Sequence, residues 1–392
     1  MRELWDYLLW PLILSVVIML FFQLQAIIFV WLERKVSGRI QDRLGPTRTG
    51  GKFGWLQTIA DGVKLLLKED LIPAHADRLL FRLAPYVVLC GAFAAFLVLP
   101  FSDGWVAQNL NVAVFFMLAV MSVEVFGVIM AGYASGSKWA LFGAMREAAQ
   151  VVSYEVPMAM CVVLPVMAAG TMNMNAVGQM QAGWFWNWIC FRDPFTFLAA
   201  IVYLICATAS VKRAPFDLAE AESELVAGFH TEYSGFRWLI FFMAEYASML
   251  AVSGIVVTMF WGGWNGPLPI TQWLGLWHAN AEGHLVPGLL AQVIGVLNFI
   301  GKTYFLIFVM IWVRWTVPRI RIDQVMKMCL KYLLPISCFL LLGAGVWPLF
   351  VTTRLRGQVG GFVAAGLVLV IVLISIATTP KSAAHGRREV VY

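Results

Sequence analysis

Long apolar runs are the feature of this 392-residue sequence that most constrains its fold. A helix needs about 20 apolar residues to cross the hydrocarbon core of a bilayer, which is roughly 30 Å thick. Hydrophobic residues make up 61% of the chain and charged residues only 13%, which excludes a soluble enzyme, a disordered chain and a nucleic-acid-binding domain. The sequence predicts an all-α, polytopic membrane protein with nine spans: 8–32, 82–101, 110–132, 150–170, 196–211, 238–261, 287–314, 332–352 and 360–379.

The positive charges predict the orientation of these spans. If the spans alternate in direction, five segments share one side of the membrane: 33–82, 133–149, 212–237, 315–331 and 380–392. Together with Arg314 they hold 23 of the 28 Lys and Arg residues, whereas the segments on the other side hold four. Basic loops stay in the cytoplasm. We therefore expect a multi-pass protein of the bacterial plasma membrane, with its N-terminus outside and these segments inside.

The cysteines and histidines are scattered along the chain. None of the six cysteines forms a Cys-x-x-Cys pair, and none of the five histidines forms a His-x-x-His pair. Iron–sulfur, haem and zinc sites need clustered ligands of this kind. We therefore expect no metal site and no redox centre in this chain.

The first inner segment carries two patterns. Over residues 33–46, six charged side chains alternate with glycine and proline, which predicts an ordered, ion-paired turn. Residues 54–70 then separate apolar from polar side chains at helical spacing, which predicts an interfacial amphipathic helix. This helix could rest on the bilayer surface, or it could line a lateral entrance for a lipid-soluble substrate. The spacing does not choose between the two.

Acidic residues stand where a membrane protein rarely tolerates them. Glu124, Glu155 and Glu245 lie within predicted spans, and carboxylates inside a membrane are costly and mark function. They suggest a chain of protonatable groups. The alternative is that each carboxylate is structural, paired with Lys302 or with Ser and Tyr hydroxyls.

The inner loop 212–237 holds five more acids: Asp217, Glu220, Glu222, Glu224 and Glu232. Glu220 and Glu224 share a face of any helix that forms there. Like charges repel, and burial raises the pKa of a carboxyl group, so these acids are expected to exchange protons as a coupled group. The alternative is a solvated acidic loop.

These segments together resemble the membrane subunit that forms the quinone chamber of respiratory complex I. In bacteria this is the H subunit. The resemblance covers roughly residues 8–352. The matching stretches are 33–46, 60–65 with 68–69, 146–156, 213–217, 222–225, 228–234, 314–316 and 318–319.

The resemblance implies eight spans plus an interfacial helix that form the floor of a quinone tunnel. It implies quinone (ubiquinone or menaquinone) as substrate and no cofactor bound by this chain, with NADH, FMN and the iron–sulfur clusters on partner subunits. The implied partners are hydrophilic quinone-chamber and iron–sulfur subunits, small and antiporter-like membrane subunits, and lipid. Implied quinone-site residues are Glu33, Arg34, Ala60, Asp61, Arg213, Phe229 and Tyr233. The implied proton path comprises Glu124, Glu155, Asp217, Glu220, Glu222, Glu224, Glu232 and Glu245.

The chain departs from this family after the eighth span. Residues 353–392 add a glycine-rich turn and the apolar run 360–379, which predict a further helix that packs against a neighbouring subunit. Two other functions remain open. The related membrane subunit of energy-converting hydrogenases keeps the fold without using quinone. A secondary ion transporter predicts inverted repeats, and no such repeat is evident in the sequence.

Overall fold

The computed structural model describes residues 9–218, 222–279, 285–350 and 366, with the backbone alone at 222, 223, 278, 279, 285 and 286. Nine helices organise these residues: α1 Trp10–Ile40, α2 Gln57–Leu67, α3 Arg78–Ala95, α4 Ala113–Ala134, α5 Lys138–Ala169, α6 Pro194–Ser210, α7 Gly235–Met259, α8 Leu289–Thr316 and α9 Ile322–Phe350. Helix α9 contains a π-helical stretch, Met328–Leu333, between Ile322–Lys327 and Leu334–Phe350.

Shorter elements fill the connections. They are the helices Met174–Met180, Ile189–Arg192, Glu222–Leu225 and Ile270–Trp273, and the 3₁₀ turns Phe185–Asn187 and Gly228–His230. The strands β1 Trp277–Ala279 and β2 Leu285–Pro287 pair in antiparallel fashion, with His278 opposite Val286.

Seven of the described helices are long and apolar enough to cross a membrane, namely α1, α3, α4, α5, α7, α8 and α9. Helix α6 is apolar but has only 17 residues. The structure therefore confirms an all-α, polytopic membrane protein. Of the predicted ninth span, 360–379, every position except 366 lies outside the described residues.

Helix α7 is the centre of the bundle. Every residue from Tyr246 to Met259 is buried, and α7 packs against α1, α2, α3, α5, α6 and α8. Its apolar side chains therefore contact other helices on all sides over this stretch. Because α1 and α2 also contact each other, α1, α2 and α7 enclose a space at one end of the bundle.

Three of the described helices extend well beyond their predicted spans, and one of them, α9, begins at Ile322 rather than at 332. Helix α1 continues to Ile40, so the predicted turn over 33–46 is wrong for its first eight residues. Helix α5 begins at Lys138, where a loop up to 149 was predicted. With 32 residues at 1.5 Å each, α5 is about 48 Å long and extends well beyond a 30 Å hydrocarbon layer. The charged residues Glu33 and Glu147 in these extensions have partners on other elements, which is why the helices tolerate them.

Candidate functional site

A cavity of about 410 Å³ lies between α1, α2 and α7. Its walls are mostly apolar and include Ala26, Ile27, Val30, Ile59, Val63, Leu66, Trp238 and Phe242. Arg34 and Asp61 also line it and supply its charged groups. Cavities of a few hundred Å³ with apolar walls and few polar groups are typical of small-molecule sites.

An ion pair joins two walls of this cavity. The Arg34 guanidinium on α1 donates to the Asp61 carboxylate on α2, and Gln57 Nε2 donates to the other carboxylate oxygen of Asp61 at 3.2 Å. The Arg34 and Asp61 side chains are 44% and 32% exposed. At that exposure the pair contributes little to stability, but it connects α2 to α1 at the edge of the cavity. Ala60, the neighbour of Asp61, is exposed and does not line the cavity.

Glu33 precedes Arg34 on α1, but its carboxylate belongs to a buried charge cluster. Arg213 Nη1 lies 3.0 Å from Glu33 Oε2, and Arg314 Nη1 lies 2.6 Å from Glu33 Oε1. The Tyr246 hydroxyl on α7 donates to Glu33 Oε2. Three donors from separate parts of the chain therefore hold one carboxylate.

Arg213 links this carboxylate to a second one. Its Nε lies 2.8 Å from Glu245 Oε1, and its guanidinium carbon lies 4.4 Å from the centre of the Tyr246 ring. The Arg213 side chain is 3% exposed. Burial alone lowers the pKa of Arg213, but the carboxylates of Glu245 and Glu33 outweigh burial and raise it well above its usual value. With Arg314, the two guanidiniums balance the two carboxylates.

Lys212, the residue before Arg213, forms a second buried cluster. Its Nζ lies 2.9 Å from Glu124 Oε1 on α4 and also contacts Glu147 Oε1 on α5. Ser248 on α7 donates to Glu124 Oε2 at 2.8 Å. Burial lowers the pKa of Lys212, but the two carboxylates raise it by more, so the ammonium stays charged. One ammonium and two carboxylates leave this cluster with a formal charge of −1.

The other predicted acids are not members of these two ion-paired clusters, although Glu155 lies near one of them. Asp217 is buried, and Arg319 Nη2 lies 3.3 Å from its Oδ2. Glu232 is half-buried, and Glu155 lies beside Ser122 within electrostatic reach of Glu124. Glu220 lies outside the described residues, as does the side chain of Glu222.

Glu224 differs from the expectation of a raised pKa. Its carboxylate is exposed and lies 2.6 Å from Arg146 Nη1 on α5. The hydrogen bond from Arg146, together with its charge, holds the pKa of Glu224 below its usual value. Glu224 is therefore ionised at neutral pH.

Phe229 and Tyr233, predicted to be near the quinone, are packed inside the protein and do not line the cavity. Tyr233 stacks on Phe81 with ring centres 4.0 Å apart, and its hydroxyl donates to the Phe81 carbonyl oxygen at 3.2 Å. Burial raises the pKa of Tyr233, so its hydroxyl stays protonated. The Phe229 ring lies 5.7 Å from Lys212 Nζ and forms part of the wall of the second cluster.

The structure corrects one part of the structural alternative for Glu124 and Glu245, namely their partner. Lys302 Nζ donates to the backbone carbonyls of Trp261, Gly263 and Asn265, so the predicted pairing of these acids with Lys302 is wrong. Hydroxyl capping does occur, from Ser248 to Glu124.

Sequence reasoning missed the roles of Glu147, Lys212 and Arg314. A signal for Glu147 was present: Gly143, Glu147, Gln150 and Tyr154 recur at helical spacing, and all four are buried on one face of α5. Lys212 and Arg314 carried no comparable signal, since their partners are distant in sequence.

Comparison with known proteins identifies the family of the chain. The family model described as NADH dehydrogenase matches residues 13–344. The H subunit of the NADH-quinone oxidoreductase of Anaeromyxobacter dehalogenans is 44% identical over 376 residues, which cover 94% of this chain and 89% of the relative. The protein of the same description from Chlorobium luteolum is 43% identical over 343 residues, or 87% of this chain and 90% of the relative. The chain belongs to the NADH dehydrogenase family.

Proposed function

We propose that this chain is the H subunit of an NADH:quinone oxidoreductase and that it forms the floor and entrance of the quinone chamber. The cavity between α1, α2 and α7 is the proposed entrance. Its apolar walls suit an isoprenoid chain, and the Arg34–Asp61 pair supplies polar groups to a quinone ring. Reduction takes two electrons and two protons per quinone. Partner subunits would supply the electrons. The basic inner segments would face the cytoplasm.

One observation carries this proposal: the cavity and the buried charges share the same two helices. On α1, Arg34 lines the cavity while Glu33 binds Arg213 and Arg314. On α7, Met243 lines the cavity while Glu245 binds Arg213. A change of charge or shape in the cavity would therefore act on α1 and α7, and residues one or two positions away along these helices belong to the charge clusters.

The clusters offer a route for this effect toward the interior of the membrane. Arg213, which binds Glu33 and Glu245, is adjacent in sequence to Lys212. Lys212 in turn binds Glu124 and Glu147. Glu155 lies next along this direction. We propose that this series couples quinone reduction to proton translocation, with Asp217, Glu220, Glu222 and Glu232 leading from the inner loop. Acids that interact titrate as a group, so a change of charge on one changes the protonation of its neighbours.

A photoreactive quinone analogue tests the proposed entrance in the intact complex. The analogue should label the peptide that contains α2, and excess quinone should compete. Val63→Trp fills the cavity, so we expect it to reduce both the labelling and the rate of quinone reduction. Leu67→Trp is the matched control, since Leu67 is exposed on the same helix and does not line the cavity.

The outcomes separate the two related functions. An assembled complex that takes no label and reduces no quinone would refute the quinone site and favour the alternative, an energy-converting hydrogenase. Equal effects of Val63→Trp and Leu67→Trp would place the entrance elsewhere. For the proton path, Glu222→Gln should impair proton pumping in membrane vesicles. Normal reduction together with normal pumping would exclude the acidic loop from the path.

A further inference from the structure

A second groove, of about 710 Å³, also borders α1 but is separate from the cavity described above. It is bounded by the last turns of α1 and α8 and by the loop between α1 and α2. The proposed function makes no use of it, because the groove shares no lining residue with the cavity between α1, α2 and α7.

Three cations converge on this groove. Lys35 and Arg39 come from successive turns of α1, and Lys52 comes from the loop. In the described part of the chain none of the three forms an ion pair, whereas Arg34 and Arg314 at the same helix ends do. Like charges brought together without counter-charges repel, so an anion that binds among them lowers the free energy.

Aromatic side chains form the rest of the groove. Trp31 is held in place, because its ring stacks on Trp55 with centres 4.7 Å apart and its Nε1 donates to the Phe53 carbonyl oxygen at 2.9 Å. Phe308 and Trp312 lie one turn apart on α8 and are 40% and 54% exposed. Together with the cations, these exposed rings give the groove one charged part and one apolar part.

We propose that this groove binds an acidic phospholipid. The cations hold the phosphate group, and the aromatic rings contact the upper part of the acyl chains. Tryptophan and basic residues are the side chains that sit at the headgroup level of a bilayer. A free phosphate ion would use the cations but leave the apolar surface exposed to water, which is why the lipid is the favoured ligand.

The test uses the whole complex in nanodiscs of phosphatidylcholine that contain a phosphatidylglycerol with a photoreactive acyl chain. We expect label on peptides that cover 31–55 and 305–315. Unlabelled phosphatidylglycerol should compete, while phosphatidylcholine and inorganic phosphate should not. Each basic residue at an anionic surface is worth about fivefold in affinity, so Lys35→Gln/Arg39→Gln/Lys52→Gln should weaken probe binding by about 100-fold.

Two controls keep this result interpretable. Lys35→Arg/Lys52→Arg keeps the charge and should keep the binding, and Lys327→Gln removes a cation away from the groove and should change nothing. Elution of each variant as an intact complex shows that the chain is folded. Undiminished labelling of the triple variant, or displacement by inorganic phosphate, would overturn the proposal. So would Phe53→benzoylphenylalanine if it captured another protein of the complex rather than lipid.

Discussion

Replacing Lys212 by methionine removes the cation that Glu124 and Glu147 both contact. The side chains of Lys212, Glu124 and Glu147 are only 8%, 11% and 2% exposed, so water does little to offset the loss. The formal charge of the cluster changes from −1 to −2. Removing one partner of a buried ion pair costs about 3–5 kcal/mol. We therefore expect the segment around Lys212 to open far more often in Lys212→Met.

Hydrogen exchange measured by mass spectrometry reports this opening directly. The Lys212 and Arg213 amides donate to the carbonyls of Ala209 and Thr208 at 3.2 Å, and the Phe216 amide donates to Arg213 at 2.9 Å. These amides exchange when the segment opens. At about 1.4 kcal/mol per factor of ten, the expected loss speeds their exchange by about 100- to 4,000-fold.

Two further variants isolate the electrostatic cause. Lys212→Met/Glu147→Gln removes one charge of each sign and restores the formal charge of −1, so much of the protection should return. Lys327→Met, at a lysine outside the cluster, should leave exchange at 208–216 unchanged. If the exchange rates of these amides in Lys212→Met stay within about threefold of those in the parent protein, they refute the reasoning. The buried ion pairs would then not be what stabilises the segment. If the double variant does not regain protection from exchange, the effect of Lys212→Met arises from lost packing rather than from charge.

Two other predictions concern how the acidic loop docks on α5. A Cβ on Gly143 would lie 2.6 Å from the backbone of Gly228, so Gly143→Ala should displace the loop and reduce assembly of the complex, whereas Gly301→Ala, in open space on α8, should not. The pKa of Glu224 is lowered by Arg146, so its contribution to docking is present above its ordinary pKa of 4.5 and is lost as the pH falls through its lower folded value. Hydrogen exchange at 222–230, corrected for intrinsic pH effects, should show this dependence, and Arg146→Gln should abolish it.

The sequence predicted the membrane helices well because an apolar run of 20 residues has few alternatives. In lipid, the backbone must satisfy its own hydrogen bonds, and a helix does so within one segment. The helix ends were less predictable. Hydropathy treats charged residues such as Glu33 and Glu147 as the end of a span, but both continue a helix because cations from elsewhere in the chain bind them.

The candidate site was predictable in its residue types but not in its pairings. Four site residues were identified either from their positions in predicted spans or from the resemblance to the complex I subunit: Glu33, Glu124, Glu245 and Arg213. The structure brings all four into two adjoining clusters. The contacts join residues 88 positions apart, from Glu124 to Lys212, and 180 apart, from Glu33 to Arg213. Sequence spacing within one helix reports only neighbours up to about four residues away, so no local pattern could reveal these partners.

The adjacency of Lys212 and Arg213 has a physical consequence for coupling. Their side chains bind carboxylates on four helices: Glu33 on α1, Glu124 on α4, Glu147 on α5 and Glu245 on α7. A displacement of this one segment would therefore break contacts to all four carboxylates together. Buried ion pairs resist gradual stretching, because a half-separated pair has lost its attraction without regaining water. We therefore expect such a segment to move between discrete positions rather than gradually, which is the property that the proposed link between quinone chemistry and proton transfer would require.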